Sequence, residues 1–151
     1  MNNRNEKVVV LSGYARGGTN IVWNILQSHP KICSPIFETG EVFDKSIVLK
    51  ATKLLSKIKT FDFYKDLIDS KLYQFKLKNL EHPDNKYIAE DKLYTKEQVE
   101  EASLCTKSVN NDILITDLLL KVYPYLCFVG LSRNGYALAE SYIRRGRTAK
   151  E

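Results

Sequence analysis

Val8, Val9, Val10 and Leu11 form an unbroken β-branched and apolar run that stops at Ser12-Gly13, and the residues from Gly13 to Asn20 then carry three glycines. A short apolar run without polar alternation is the pattern of a strand buried on both faces of a parallel sheet. Beyond the glycines, Ile21, Val22, Ile25 and Leu26 recur at helical spacing with Trp23 beside them, and the segment closes at His29-Pro30, where proline cannot continue a helix. Strand, glycine loop and helix are therefore the opening unit, and everything downstream has to be compatible with it.

The rest of the chain alternates in the same way. Ile47, Leu54, Leu55 and Ile58, then Phe63, Leu67, Ile68, Leu72 and Phe75, follow a helical period interrupted near Thr60, which predicts two helices between Asp44 and Leu80. His82-Pro83-Asp84-Asn85 is turn chemistry, and Thr95-Lys96-Glu97-Gln98 has the form of a capping box that starts another short helix. Leu104 to Val109 reads as a strand. Asn110-Asn111-Asp112 reads as the cap of an amphipathic helix from Ile113 to Val122, which Tyr123-Pro124 ends. The apolar run Leu126 to Leu131 is expected to be another buried strand, stopping at Ser132-Arg133-Asn134-Gly135 before a helix from Tyr136 to Arg145. Strands alternating with helices predict one α/β domain over residues 1 to 151, a three-layer sandwich around a central parallel sheet. Ligands gather at the carboxyl ends of strands in such sheets, and both glycine-bearing loops fall at such ends.

Composition narrows the function classes. With 44% hydrophobic and 27% charged residues the balance is that of a globular protein, and the net charge of +5 favours anionic ligands without choosing among them. Most lysines are spread through residues 45 to 96 as on solvated helix faces. Arg144, Arg145 and Arg147 form the one tight basic cluster, which either lines an anionic site or decorates a helix end. Cys33, Cys105 and Cys127 are odd in number and lack metal-ligand spacing, so neither a disulfide framework nor a zinc site is indicated and a reducing compartment is expected. The start of the chain is too polar and its first apolar run too short for a signal sequence or membrane span, so a cytoplasmic protein is expected.

Between a strand and a helix, the small residues of Gly13-Tyr14-Ala15-Arg16-Gly17-Gly18-Thr19-Asn20 let backbone amides turn toward an anion, and the helix N-terminus adds partial positive charge. The plain alternative is a tight strand-to-helix turn. Gly13 and Gly18 also fit the loop G-x-x-x-x-G-K-[ST] of nucleoside-triphosphate binders, but Thr19 stands where the lysine belongs and Asn20 where the magnesium-binding hydroxyl belongs. The cation sits inside the loop, at Arg16.

A cation two residues before a Gly-Thr pair, opening a helix that ends in His-Pro, resembles the sulfotransferase family. The resemblance implies a P-loop nucleotide-hydrolase-like fold and a metal-free site for 3′-phosphoadenosine 5′-phosphosulfate, with Arg16, Gly17, Gly18, Thr19, Asn20 and Ile21 at its 5′-phosphosulfate end. Family members more often carry Ser and Thr where Gly17 and Asn20 stand. The stretch from Val129 to Gly146, with Arg133 at the strand end and Ser141 eight positions later, is similar to the family's 3′-phosphate motif. A guanidinium there offers a bidentate grip on phosphate and a hydroxyl adds a donor.

Glu38, twenty-two residues after Arg16, resembles the base of several sulfotransferase branches, with Glu41 in reserve and a solvated surface carboxylate as the plain alternative. Other branches use a histidine on the strand that here reads Lys107-Ser108-Val109-Asn110, and His29 and His82 look structural. The resemblance implies sulfuryl transfer to a small-molecule or carbohydrate hydroxyl or amine rather than a nucleic acid partner. Because family members run on past this length, the domain is expected to be incomplete at its C-terminal end. A nucleotide-binding remnant without transferase activity and a small-molecule kinase with an altered loop are the other readings.

Overall fold

The computed structural model describes residues 7–35, 38–43, 62–78, 95–110 and 119–146. The expected helix over Ile47 to Ile58, the turn at His82 to Asn85 and most of the expected helix from Ile113 lie outside them, although residues 119–122 are helical. The described elements run β1 (Val8–Gly13), α1 (Thr19–Ser28), β2 (Ile32–Cys33), α2 (Thr39–Val42), α3 (Asp62–Leu77), α4 (Lys96–Glu101), β3 (Ser103–Val109), β4 (Cys127–Leu131) and α5 (Gly135–Ile143).

All pairings are parallel, and the four strands lie in the order β2-β3-β1-β4. The chain leaves β1 toward β2 on one side and later returns to place β4 on the other, so β1 sits where the strand order switches. Helices cover both faces, as a three-layer sandwich requires. On one face Leu11, Cys105 and Trp23 of α1 are fully buried; on the other Val8, Val10 and Leu104 pack with Val42 of α2 and Phe43 just after it, Ile68 and Leu72 of α3, and Leu119, Val122 and Tyr123. Thr95 and Gln98 form the expected capping box at α4, each side chain accepting from the other's backbone N–H at 3.2 and 2.9 Å.

One local expectation, the burial of β4, is corrected, and the face that α1 buries is settled. Ile21 and Ile25 point outward, 67% and 62% exposed, while Thr19, Trp23 and Gln27 form the buried stripe of α1. The indole decides the helix rotation: its N–H donates to Ser34 Oγ at 2.7 Å, and its bulk fills the space over Leu11 and Cys105. β4 is not buried on both faces. Among the described strands it is an edge, with Cys127, Phe128 and Gly130 exposed. Asn110 sits in the left-handed region at φ 53° and its side chain accepts from the Ala15 N–H, while the other expected cap residues, Asn111 and Asp112, lie outside the described residues. Among the described residues no helix is long and apolar enough to cross a membrane.

Candidate functional site

The Gly13–Asn20 loop lies over the carboxyl ends of β1, β3 and β4, and side chains from all around it hold its outer edge. Asn110, just past β3, accepts the Ala15 N–H at 2.9 Å; Arg133, just past β4, donates Nη1 to the Arg16 carbonyl at 2.6 Å; and the Tyr142 hydroxyl of α5 reaches the Ala15 carbonyl at 3.4 Å. Gly17 donates to Tyr14 O at 2.9 Å, a turn so close that a Cβ at Gly17 would stand 2.7 Å from that oxygen. Arg16 and Gly18 both have left-handed backbone, at φ 67° and 93°. For arginine that conformation costs on the order of 1–2 kcal/mol, offset by the surrounding bonds, including Arg16 Nε to Ser141 Oγ at 3.1 Å.

With its outer groups held, the loop presents its inner amides. The N–H groups of Gly18 to Ile21 open α1 and have no intrahelical acceptor, so they are available to an anion. They face a cleft of about 440 Å³ whose walls include Arg16, Thr19, Asn20, Ile21, Glu38 and Arg133. Every site residue expected from the sequence is thus gathered here except Ser141, Gly17 and Glu41, which do not line the cleft. Ser141 is 6% exposed beneath Arg16, and Gly17 shapes the loop. Glu41 caps α2, its Oε2 accepting the Glu38 N–H at 2.9 Å. Arg133 and Ser141 do not bond each other; both bond Arg16, one at its carbonyl and one at its side chain.

The residue that sequence reasoning passed over is Lys107. It points from β3 toward α1 and is 1% exposed, yet its ammonium is fully surrounded by partners: Glu38 Oε1 at 2.6 Å, Asn20 Oδ1, and the Trp23 ring face with its centroid 4.5 Å away. Burying an ammonium is tolerable only with such company. Lys107 therefore joins the glycine loop, through Asn20, to the carboxylate Glu38, both of which line the cleft while Lys107 lies behind them. The signal was present in the sequence, since Cys105, Lys107 and Val109 alternate onto one strand face and a lysine between buried neighbours needs a counter-charge. His29 is exposed at the end of α1, its Nδ1 accepting the Lys31 N–H at 3.1 Å. Arg144 is exposed and pairs with Glu140 at 3.5 Å, the helix-end decoration foreseen as one alternative.

The chain matches no protein-family model and no curated protein, so the likeness to sulfotransferases rests on the residues and their arrangement alone.

Proposed function

We propose that this chain binds 3′-phosphoadenosine 5′-phosphosulfate in the cleft and transfers its sulfuryl group to a hydroxyl or amine acceptor, within a P-loop-like fold. The observation that carries the reading is the junction behind the cleft, where one buried ammonium, Lys107, touches both Asn20 of the amide loop and the carboxylate Glu38, which line it. An anion held by the loop and an acceptor held at Glu38 would be neighbours by construction.

In that reaction the amides of Gly18 to Ile21 and the side chain of Thr19 hold the 5′-phosphate. Glu38 takes the acceptor's proton as its oxygen or nitrogen attacks sulfur in line, and the bond from sulfur to the bridging oxygen breaks, releasing adenosine 3′,5′-bisphosphate. Charge grows on that bridging oxygen, and Arg16 in the cleft wall, with the buried Lys107 ammonium beside Asn20, supplies compensating positive charge. A guanidinium keeps its proton, but a phosphate leaving group needs charge stabilisation rather than protonation. Arg133, which lines the cleft, is assigned to the 3′-phosphate, and Ser141, which does not, supports that end by accepting from Arg16. A kinase reading is disfavoured by the same geometry, because Asn20 stands in the metal-hydroxyl position and is committed to Lys107.

The test is a calorimetric titration with adenosine 3′,5′-bisphosphate, ADP and ATP, with and without magnesium. The bisphosphate is expected to bind more tightly than ADP in the absence of metal, and Arg133→Ala to lose about 1.5–3 kcal/mol of that preference. Equal affinity for the three nucleotides sinks the reading, and magnesium-dependent preference for ATP returns it to a kinase.

A further inference from the structure

Glu38 reaches Lys107 from the first residue before α2, an element of four residues in which a capping box ties the Glu38 side chain to the Glu41 backbone N–H and the Glu41 side chain to the Glu38 N–H. That box fixes the carboxylate within its own turn, and the neighbouring residue fixes the turn on β3. Thr39 is fully buried, and its Oγ1 lies 2.5 Å from Thr106 Oγ1 while donating to the Lys107 carbonyl at 2.9 Å. A threonine hydroxyl has one hydrogen. Since Thr39 gives its own to the Lys107 carbonyl, Thr106 must donate to Thr39, and the bonds run in one direction from Thr106 through Thr39 to the peptide that carries Lys107.

Thr106 and Lys107 are consecutive on β3 and point to opposite faces of the sheet. The hydroxyl pair therefore grips β3 from the face opposite the ammonium, while the Glu38 carboxylate meets that ammonium from the cleft. Val42 and Phe43 hold the far end of α2 in the core. Two valines would fill the space of the two threonines without any hydrogen bond to satisfy, so what the hydroxyls add is registration of α2 along β3 rather than burial. We propose that Thr39 and Thr106 are positioning residues, a buried two-hydroxyl clamp that holds the Glu38 carboxylate on the Lys107 ammonium; its bearing on turnover rests on the reading of Glu38 as base.

Two readouts on the full chain test this. The first is acylation of Lys107 by a small activated ester, followed by peptide mass spectrometry with exposed Lys96 as internal standard. Thr39→Val is expected to raise Lys107 labelling about tenfold as the carboxylate drifts away, and to lower kcat for sulfuryl transfer on the order of tenfold with donor KM unchanged. Thr39→Ser, which keeps the hydroxyl, restores both. The double variant Thr39→Val/Thr106→Val leaves no orphaned hydroxyl and regains melting temperature, but regains neither the labelling protection nor kcat. Recovery of labelling and turnover along with melting temperature in the double variant would overturn the proposal, as would unchanged labelling in Thr39→Val. If the labelling pattern holds while wild type neither binds adenosine 3′,5′-bisphosphate nor transfers sulfate, the clamp stands and the sulfotransferase reading falls.

Discussion

β3 and β4 flank β1 in the same direction and register, so that Val9 lies between Cys105 on one side and Cys127 on the other. By hydropathy β4 (Cys-Phe-Val-Gly-Leu) belongs in the interior and β3 (Ser-Leu-Cys-Thr-Lys-Ser-Val) at the edge. The structure reverses them. Residues 104 to 108 are all buried, whereas Phe128 is 46% exposed. β3 has a strand on either side and helices across both faces; β4 has β1 on one side among the described strands. Position in the sheet decides burial, and a polar side chain survives in the central position when partners are built around it. Thr106 and Lys107 have such partners, and two of those of Lys107, Asn20 and Glu38, line the cleft.

Breaking the polar interior of β3 should have the largest effects. Lys107→Met keeps the buried stem and removes the charge, and is expected to lower transfer on the order of a thousandfold. Glu38→Gln is expected to abolish transfer while adenosine 3′,5′-bisphosphate affinity stays nearly unchanged, because the amide keeps the shape but accepts no proton. It should also destabilise the fold by about 3 kcal/mol, since Lys107 keeps its charge in a buried place without a carboxylate. Chemical denaturation then separates chemistry from stability: Lys107→Met/Glu38→Gln should be more stable than Glu38→Gln alone. If Glu38→Gln unfolds like wild type, the ion pair contributes nothing to stability and the contrast between the strands loses its energetic basis.

The parts legible in the sequence were those governed by local rules. Val8 to Leu11 announced a buried strand, Gly13 to Asn20 a turned amide loop, Thr95 to Gln98 a capped helix, and Arg133 a strand-end cation. Each is decided within a few residues. The parts that were not legible depend on distant neighbours. The rotation of α1 is set by Trp23 reaching Ser34 across the loop. Lys107 did not stand out because Asn20, Trp23 and Glu38, which meet it, come from distant parts of the chain. The bond of Asn110 to Ala15, ninety-five residues away, has no local signature.

The cysteines probe the two strands at matched positions with a smaller effect. Cys105 and Cys33 are buried and Cys127 is exposed, and none of the three is in a disulfide. Iodoacetamide at mildly alkaline pH should label Cys127 in the folded protein and the other two only after unfolding. Burial pushes the Cys105 thiol up to about 12, against a weaker opposing pull from the Ser34 hydroxyl. A thiol raised in the folded state holds its proton after the unfolded chain has lost it, so its contribution is fully present below the ordinary thiol pKa and is lost as pH rises toward 12. Stability should therefore fall over that interval, and Cys105→Ala should flatten the fall. A pH slope indifferent to Cys105→Ala, or early labelling at Cys105, would mean that β3 opens readily.

The smallest expected effect lies on β4 and is the sharpest check on its edge position. Phe128 pairs in register with Val10, which is fully buried, but its own ring is 46% exposed and lines a cleft of about 510 Å³ rather than a packed interface. Phe128→Thr keeps a residue suited to a strand and gives up only the part of the ring that rests on the sheet. The expected change in unfolding free energy is within about 0.5 kcal/mol, as for surface substitutions away from special features. Leu104→Ala, on the same sheet face but in β3, should cost about 2–5 kcal/mol because it opens a cavity in the core. Denaturant titration of both variants measures the difference directly. If Phe128→Thr costs as much as Leu104→Ala, something covers β4 in solution. Repeating the titration at higher protein concentration then separates a second copy, for which the cost depends on concentration, from cover within the chain, for which it does not.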